Sequence, residues 1–174
     1  MSYPILETER LILKPTHLED ASFLLALLNS PKWLEHIGNR NVNTVAEAEQ
    51  YIQIRMLPQL ERLGYSNNTV TLKETEEKIG VCGIYDREGV EGVDIGFAFL
   101  PDFEKKGYAY ESATALIDTA FTHYGITQLN AMTTHTNIDS QKILEKLGFQ
   151  YAENIFIPND EEELRRYELK KEIQ

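Results

Sequence analysis

The sequence predicts an α/β fold in which a central mixed sheet carries helices on both faces. Three observations carry this expectation. Strand-like segments come in groups separated by segments with apolar residues at helical spacing, in the order β-α-α-β-β-β-α-β-α-β-β. Capping residues, glycines and prolines punctuate the junctions between them. The 174 residues, 42% hydrophobic and 26% charged, suffice for one core and are expected to form a single domain over residues 1–174. A chain of this size buries about 70% of its unfolded surface, so it needs no disulfide framework, and its one cysteine, Cys82, provides none.

Arg10 to Pro15 reads as a strand closed by proline. Thr16-His17-Leu18-Glu19 has the form of a capping box, and Leu18, Ala21, Leu25 and Leu28 follow at helical spacing until Asn29-Ser30-Pro31. Thr44-Val45-Ala46-Glu47 repeats the box. Ala48, Ile52, Met56 and Leu60 then make one apolar stripe stopped by Gly64, which Pro58 should kink or split because it lacks an N–H. Ser66 to Leu72, Lys78 to Tyr85 and Val93 to Leu100 are strand candidates, with turns at Glu74 to Glu77 and Gly89 to Gly92. A third helix carries Ala109, Ala113, Leu116, Ala120 and Tyr124 on one face and ends at Gly125. Leu129 to Thr134 is a strand, Asn137 to Leu147 a helix ended by Gly148, and Phe149 to Ile157 and Leu164 to Lys171 are the last strands. The acidic run Asp160 to Glu163 after Pro158-Asn159 reads as a solvated loop.

Seventeen Lys and Arg against 28 Asp and Glu give a net charge of −11, which argues against sequence-independent nucleic-acid binding and is compatible with cationic or amine-bearing partners. The longest apolar run, Phe23 to Leu28, is far short of the ~20 residues that span a bilayer, and MSYPILETER has neither a basic nor an apolar leader region. A cytoplasmic protein with no membrane partner is expected. His17, His123 and His135 show no metal-ligand spacing, and no metal is expected. Cys82, in an apolar strand, reads as a small core residue.

The most informative stretch runs from Val93 through Phe99 and Pro101 to Gly107-Tyr108-Ala109. A strand enters a short loop and a helix begins, so amides from Lys105, Lys106, Gly107, Tyr108, Ala109 and Tyr110 can converge on an anion together with the positive end of the helix dipole. A plain strand-to-helix turn has the same spacing. Neither a G-x-G-x-x-G nor a Walker lysine-serine pair is present.

At these residues the chain resembles the GNAT superfamily of acetyl-CoA-dependent N-acetyltransferases, and within it the group acting on ribosomal-protein N-termini. Leu6-Glu7-Thr8-Glu9-Arg10-Leu11-Ile12-Leu13 is similar to that group's opening strand. Asp94-Ile95-Gly96-Phe97 through Gly107-Tyr108-Ala109-Tyr110-Glu111 resembles its cofactor strand and Q/R-x-x-G-x-G/A loop. Asn137-Ile138-Asp139-Ser140 through Glu145-Lys146-Leu147-Gly148-Phe149 resembles its N-x-x-S…E-K-x-G-F signature. The three stand in family order along nearly the whole chain.

The resemblance implies a mostly antiparallel mixed sheet splayed between the Asp94 and Leu129 strands. The pantetheine arm of acetyl-CoA would bond there to backbone at Phe97, Ala98 and Phe99, with the pyrophosphate on the amides of Lys105 to Tyr110. It implies that Asp94 takes the amine's proton, often through water, that Ser140 protonates the departing thiolate, and that Asn137 bridges cofactor and strand. Asp94 is also simply a carboxylate at a strand start, Ser140 a first-turn helix residue, and Asn137 a preferred N-cap. Two positions depart from the pattern: Glu104 stands for the usual Gln or Arg, and Lys105 for the usual glycine after it. Leu144 stands where many relatives place a tyrosine donor. The segment Pro31 to Arg40 occupies the acceptor-side loop, where Trp33, Glu35 and His36 could line a pocket. Homodimers are common in the family.

The acceptor follows from a magnitude. An α-amine is about 2.4 pKa units easier to deprotonate than a lysine amine, worth about 3.3 kcal/mol at low pH. Direct transfer with one modest carboxylate base therefore suits a protein N-terminal α-amine. Acetylation of a polyamine, aminoglycoside or amino acid, a non-catalytic acyl-CoA-binding module, and a ligand-free interaction domain are the alternatives.

Overall fold

The computed structural model describes residues 2–172. Its strands are β1 (Leu6–Glu7), β2 (Leu11–Pro15), β3 (Asn67–Leu72), β4 (Lys78–Tyr85), β5 (Asp94–Phe99), β6 (Gln128–Thr134), β7 (Gln150–Ile155) and β8 (Leu164–Lys170). Its helices are α1 (Ala21–Leu28), α2 (Pro31–His36), α3 (Val45–Arg55), α4 (Leu57–Leu63), α5 (Tyr108–Thr122) and α6 (Ile138–Lys146). One eight-stranded sheet has the order β1-β2-β3-β4-β5-β6-β8-β7, antiparallel at every step except the parallel β5–β6 pair.

The core lies on both faces of the sheet, as a buried central strand demands. On one face Leu11, Leu13, Val70, Cys82 and Ile84 pack with Ala113, Leu116 and Ala120 of α5. On the other, Val81 packs with Leu24, Leu27 and Leu28 of α1 and Ala48 and Ile52 of α3. Lys78 pairs with Thr71 but Gly80 with Val70, so Ile79 is the extra residue of a bulge and joins the face of Cys82 and Ile84. Cys82 is fully buried, and desolvation pushes its thiol up to about 12 against a bond toward Ser112, which fits the inert core role expected of it.

Two local readings need correction. The first capping box is not made by Thr16: its hydroxyl bonds Thr69 Oγ1 at 2.8 Å and Asn67 Nδ2 at 2.8 Å, inside the core. His17 N–H instead donates to Asp20 Oδ2 at 3.0 Å, and a 3-10 turn, Leu18–Asp20, precedes α1. Pro31 to Arg40, expected as a loop, contains α2, which starts on Pro31 because a proline's missing N–H costs nothing at a helix start. The apolar stripe before Gly64 splits as expected: it divides at Met56 into α3 and α4, with Pro58 in the first turn of α4. At the second box, Thr44 Oγ1 accepts from Glu47 N–H at 3.1 Å, while Glu47 reaches back to Asn43 N–H at 2.6 Å.

The feature that positions the site is the β5–β6 pair. Asp94 faces Asn130, Asn130 N–H donates to Val93 O at 2.9 Å, and the strands then part. Beyond Asp94, β5 stays paired to β4 on one side as far as Phe99 opposite Gly80, while its other edge faces the opening. Among the described residues no helix is long and apolar enough to cross a membrane, and no three His, Cys, Asp or Glu side chains are grouped to hold a metal.

Candidate active site

The parted strands leave a cleft of about 350 Å³. Phe97, Ala98 and Phe99 of β5 form one wall, and Asn137, the N-cap of α6, and Ser140 in its first turn line the other. Glu104, Lys105 and Gly107 to Tyr110 close one end. Ser30, Lys32, Trp33, His36 and Ile37 close the side toward α2.

The loop before α5 has an unusual backbone. Lys105 sits at φ +60° and Gly107 at φ +83°, so two of three consecutive residues are left-handed. A side chain at Lys105 costs about 1 kcal/mol of backbone strain that glycine would avoid. Gly107 is the N-cap of α5, and the first helical bond is Glu111 N–H to Gly107 O at 3.0 Å. The amides of Gly107, Tyr108, Ala109 and Tyr110 are therefore free of the helix ladder and stand at its positive end. A Cβ at Gly107 would lie 3.3 Å from Arg10 Nη2, too close for comfort behind the loop.

Arg10 holds that loop from behind. Its Nη1 donates to Lys106 O at 3.0 Å, its Nε to Glu111 Oε1 at 2.7 Å, and its Cζ lies 4.4 Å from the Tyr108 ring centre. Glu111 also accepts from Arg10 N–H at 2.9 Å and from Thr8 Oγ1 at 2.6 Å. Burial works against the Glu111 carboxylate, but these donors hold it below the usual glutamate range.

On the facing wall, Asn137 caps α6 by accepting Ser140 N–H at 3.2 Å, which fixes Ser140 in the first turn. Leu144 is in the core rather than the cleft. The two walls are bridged by α2. Lys32 Nζ lies 3.2 Å from Glu104 Oε2 and 3.3 Å from Asp139 Oδ2, and His36 Nδ1 is 2.7 Å from Thr134 Oγ1. Partial burial opposes the Lys32 charge, yet the two carboxylates hold its pKa above the usual lysine range. Trp33 Nε1 is buried without a partner beside the cleft.

Of the residues expected at the site, Phe97, Ala98, Phe99, Lys105, Gly107, Tyr108, Ala109, Tyr110, Asn137, Ser140, Trp33 and His36 line the cleft. Three do not. Lys106 turns its side chain to the Phe103 ring and its carbonyl to Arg10. Glu35 is exposed at the rim, with Oε2 3.7 Å from His36 Nε2. Asp94 is buried at the start of β5, where Arg87 Nε reaches its two carboxylate oxygens at 2.9 and 3.2 Å. Burial drives the Asp94 carboxyl upward and Arg87 draws it part of the way back, leaving it above the usual aspartate range. Sequence reasoning missed Arg10 and Lys32. Arg10 lay in the opening-strand motif but 96 residues before the carbonyl it holds. Lys32 carried no signal, because its partners lie 72 and 107 residues downstream in the chain and meet it only through the fold.

Comparison with known proteins agrees with this geometry. A family model described as an acetyltransferase (GNAT) domain matches residues 10–150. The uncharacterised N-acetyltransferase p20 of Bacillus licheniformis is 33% identical over 148 residues, 83% of this chain and 82% of that one. The crystal structure of an acetyltransferase from Agrobacterium tumefaciens superposes with a TM-score of 0.82 at 25% identity, covering 98% of this chain and 96% of the other. RimL, a ribosomal L7/L12 α-N-protein acetyltransferase in complex with coenzyme A, shares the fold at a TM-score of 0.81 and 18% identity, over 96% and 98% of the two chains.

Proposed function

The chain belongs to the GNAT acetyltransferase family and acts as an acetyl-CoA-dependent N-acetyltransferase, and from that premise we propose that its acceptor is the α-amine of a polypeptide N-terminus. The observation that carries the site assignment is the meeting of an unpaired β5 edge with four free amides, opposite Asn137 and Ser140. That arrangement suits a long amide-bearing thiol ester with a diphosphate at one end. The free amides at the start of α5, led by Gly107, fit the diphosphate. The departures at Glu104 and Lys105 do not block it: Lys32 neutralises Glu104, and Lys105 adopts the backbone conformation that glycine would. A cytoplasmic setting and one acetyltransferase domain over the whole chain accompany this reading.

Bound acetyl-CoA supplies an activated acyl carbon, and this chain's own groups do the rest. The edge at Phe97 to Phe99 orients the pantetheine arm, while amides from Lys105 to Tyr110 hold the phosphates. Ser140 Oγ–H lies on the wall where it can protonate the leaving thiolate, recovering its proton from solvent, and Asn137 keeps it there. Trp33 and His36 form the acceptor wall, with Glu35 at the rim to meet a cationic chain end. Asp94, outside the cleft and paired with Arg87, takes the amine's proton through water rather than by contact.

A thiol-release assay with acetyl-CoA and a panel of amines tests the acceptor. Turnover on short N-terminal peptides, abolished when their α-amine is blocked, is the expected result. Turnover confined to polyamines, aminoglycosides or free amino acids would overturn the peptide assignment, and coenzyme binding without turnover on any amine would point to a non-catalytic module.

A further inference from the structure

We infer that Arg10, anchored by Glu111, is a positioning residue for coenzyme binding: it sets the orientation of the peptide bond between Lys106 and Gly107. The inference rests on the acetyl-CoA reading above. A peptide unit is planar and trans, so its C=O and N–H point in opposite directions. The Lys106 carbonyl is directed at Arg10 Nη1, 3.0 Å away. The Gly107 N–H must then point away from Arg10. Gly107 lines the cleft and Arg10 does not, so that direction is into the cleft. Flipping that peptide would reverse the sign of φ at Gly107, now +83°, which glycine accepts at little cost, so the residue itself does not choose between the two orientations. Arg10 does.

An exposed arginine is a poor lock unless something holds it, and an isolated surface ion pair is worth little. Here the holding is dense. The Glu111 carboxylate takes donors from Thr8 Oγ1, Arg10 N–H and Arg10 Nε, so the β1–β2 connection, the guanidinium and the first turn of α5 form one unit. The guanidinium spans Glu111 and the Lys106 carbonyl on either side of the Gly107 to Tyr110 amides, and stacks on Tyr108 between them. A planar fork can make both bonds at once, which a single ammonium cannot.

Calorimetry of CoA binding to the full chain separates this role from simple charge attraction. Arg10→Lys keeps the charge but loses the fork, and is expected to weaken CoA binding about tenfold, close to Arg10→Ala, with the KM for acetyl-CoA rising in step and kcat changing less than twofold. Glu111→Gln makes the neighbourhood more positive, so charge attraction alone predicts tighter binding. The lock predicts weaker binding, because the Gln amide would present N–H groups to donors that now meet a carboxylate. Wild-type affinity in Arg10→Lys, or tightening in Glu111→Gln, overturns the inference. If Glu111→Gln does not fold, the Gly107 amide resonance decides: CoA should shift it in the wild type and not in Arg10→Lys, and equal shifts overturn the lock. Failure of the wild type to bind CoA is a different result, which removes the acetyl-CoA reading and this inference with it.

Discussion

The Asp94–Arg87 pair shows how one residue's surroundings redirect its chemistry. The Asp94 side chain is only 4% exposed, whereas Arg87 keeps 38% of its own in contact with solvent. The two are therefore not equivalent to remove. Without Asp94, the guanidinium can rehydrate, and Asp94→Asn is expected to cost about 1 kcal/mol of stability. Without Arg87, a carboxylate is left buried and unpaired, and Arg87→Met is expected to cost about 3 kcal/mol at neutral pH. The pH dependence carries the sign. Asp94 is already raised by burial, and losing Arg87 raises it further. The folded state then binds a proton the unfolded chain does not, so Arg87→Met should regain stability as pH falls toward the raised pKa. Urea titrations of both variants across pH 5 to 8 (roughly the window in which native proteins are most stable) check this; equal losses with no acid recovery would refute it. If Asp94 also relays the amine's proton, Asp94→Asn should lose about 100-fold in kcat, well beyond its modest structural cost. The strand-start position of Asp94 was legible in the sequence, but its partner was not. Arg87 lies in the turn before β5, and nothing in its spacing says that it folds back.

Among the elements, those governed by local chemistry were readable and those governed by contacts across the sheet were not. β4 is found over the residues expected, Lys78 to Tyr85, because its apolar run and flanking turns are local signals. The splay between β5 and β6 came only through the family resemblance, since no residue in either strand forbids pairing. The bulge at Ile79 was missed because it depends on register with β3, and α2 because Pro31, a helix-start residue, reads in the sequence as the end of the preceding helix. α2 shows what that costs in function. Its Lys32 joins Glu104 on the β5 side to Asp139 on the α6 side, so the short helix spans the mouth of the cleft. At 44% exposure the Lys32 side chain contributes little to global stability, and Lys32→Met, which keeps most of the stem, should shift it by less than about 1 kcal/mol. Its effect belongs to the cleft. With the two ion pairs gone, only the His36–Thr134 bond among those bridges remains, and CoA should dissociate several-fold faster in stopped flow. An unchanged dissociation rate would mean that α2 does not restrain the coenzyme.

At the scale of the whole molecule, a net charge of −11 opposes an anionic coenzyme. The distribution resolves the conflict. Four lysines, Lys32, Lys105, Lys142 and Lys146, line the cleft against two carboxylates, Glu104 and Asp139, while Arg10 and Lys106 stand just behind its loop. At physiological salt the screening length is about 8 Å, so charges elsewhere on the surface are largely damped at the phosphates and the local lysines are not. A positive cleft in a negative protein then makes a directional prediction. CoA affinity should fall as sodium chloride is raised, and the fall should be shallower in Lys105→Gly and Lys142→Gln, each of which removes one local cation. If the total charge dominated instead, added salt would screen repulsion and affinity would rise. Calorimetric titrations at several salt concentrations distinguish the two by sign.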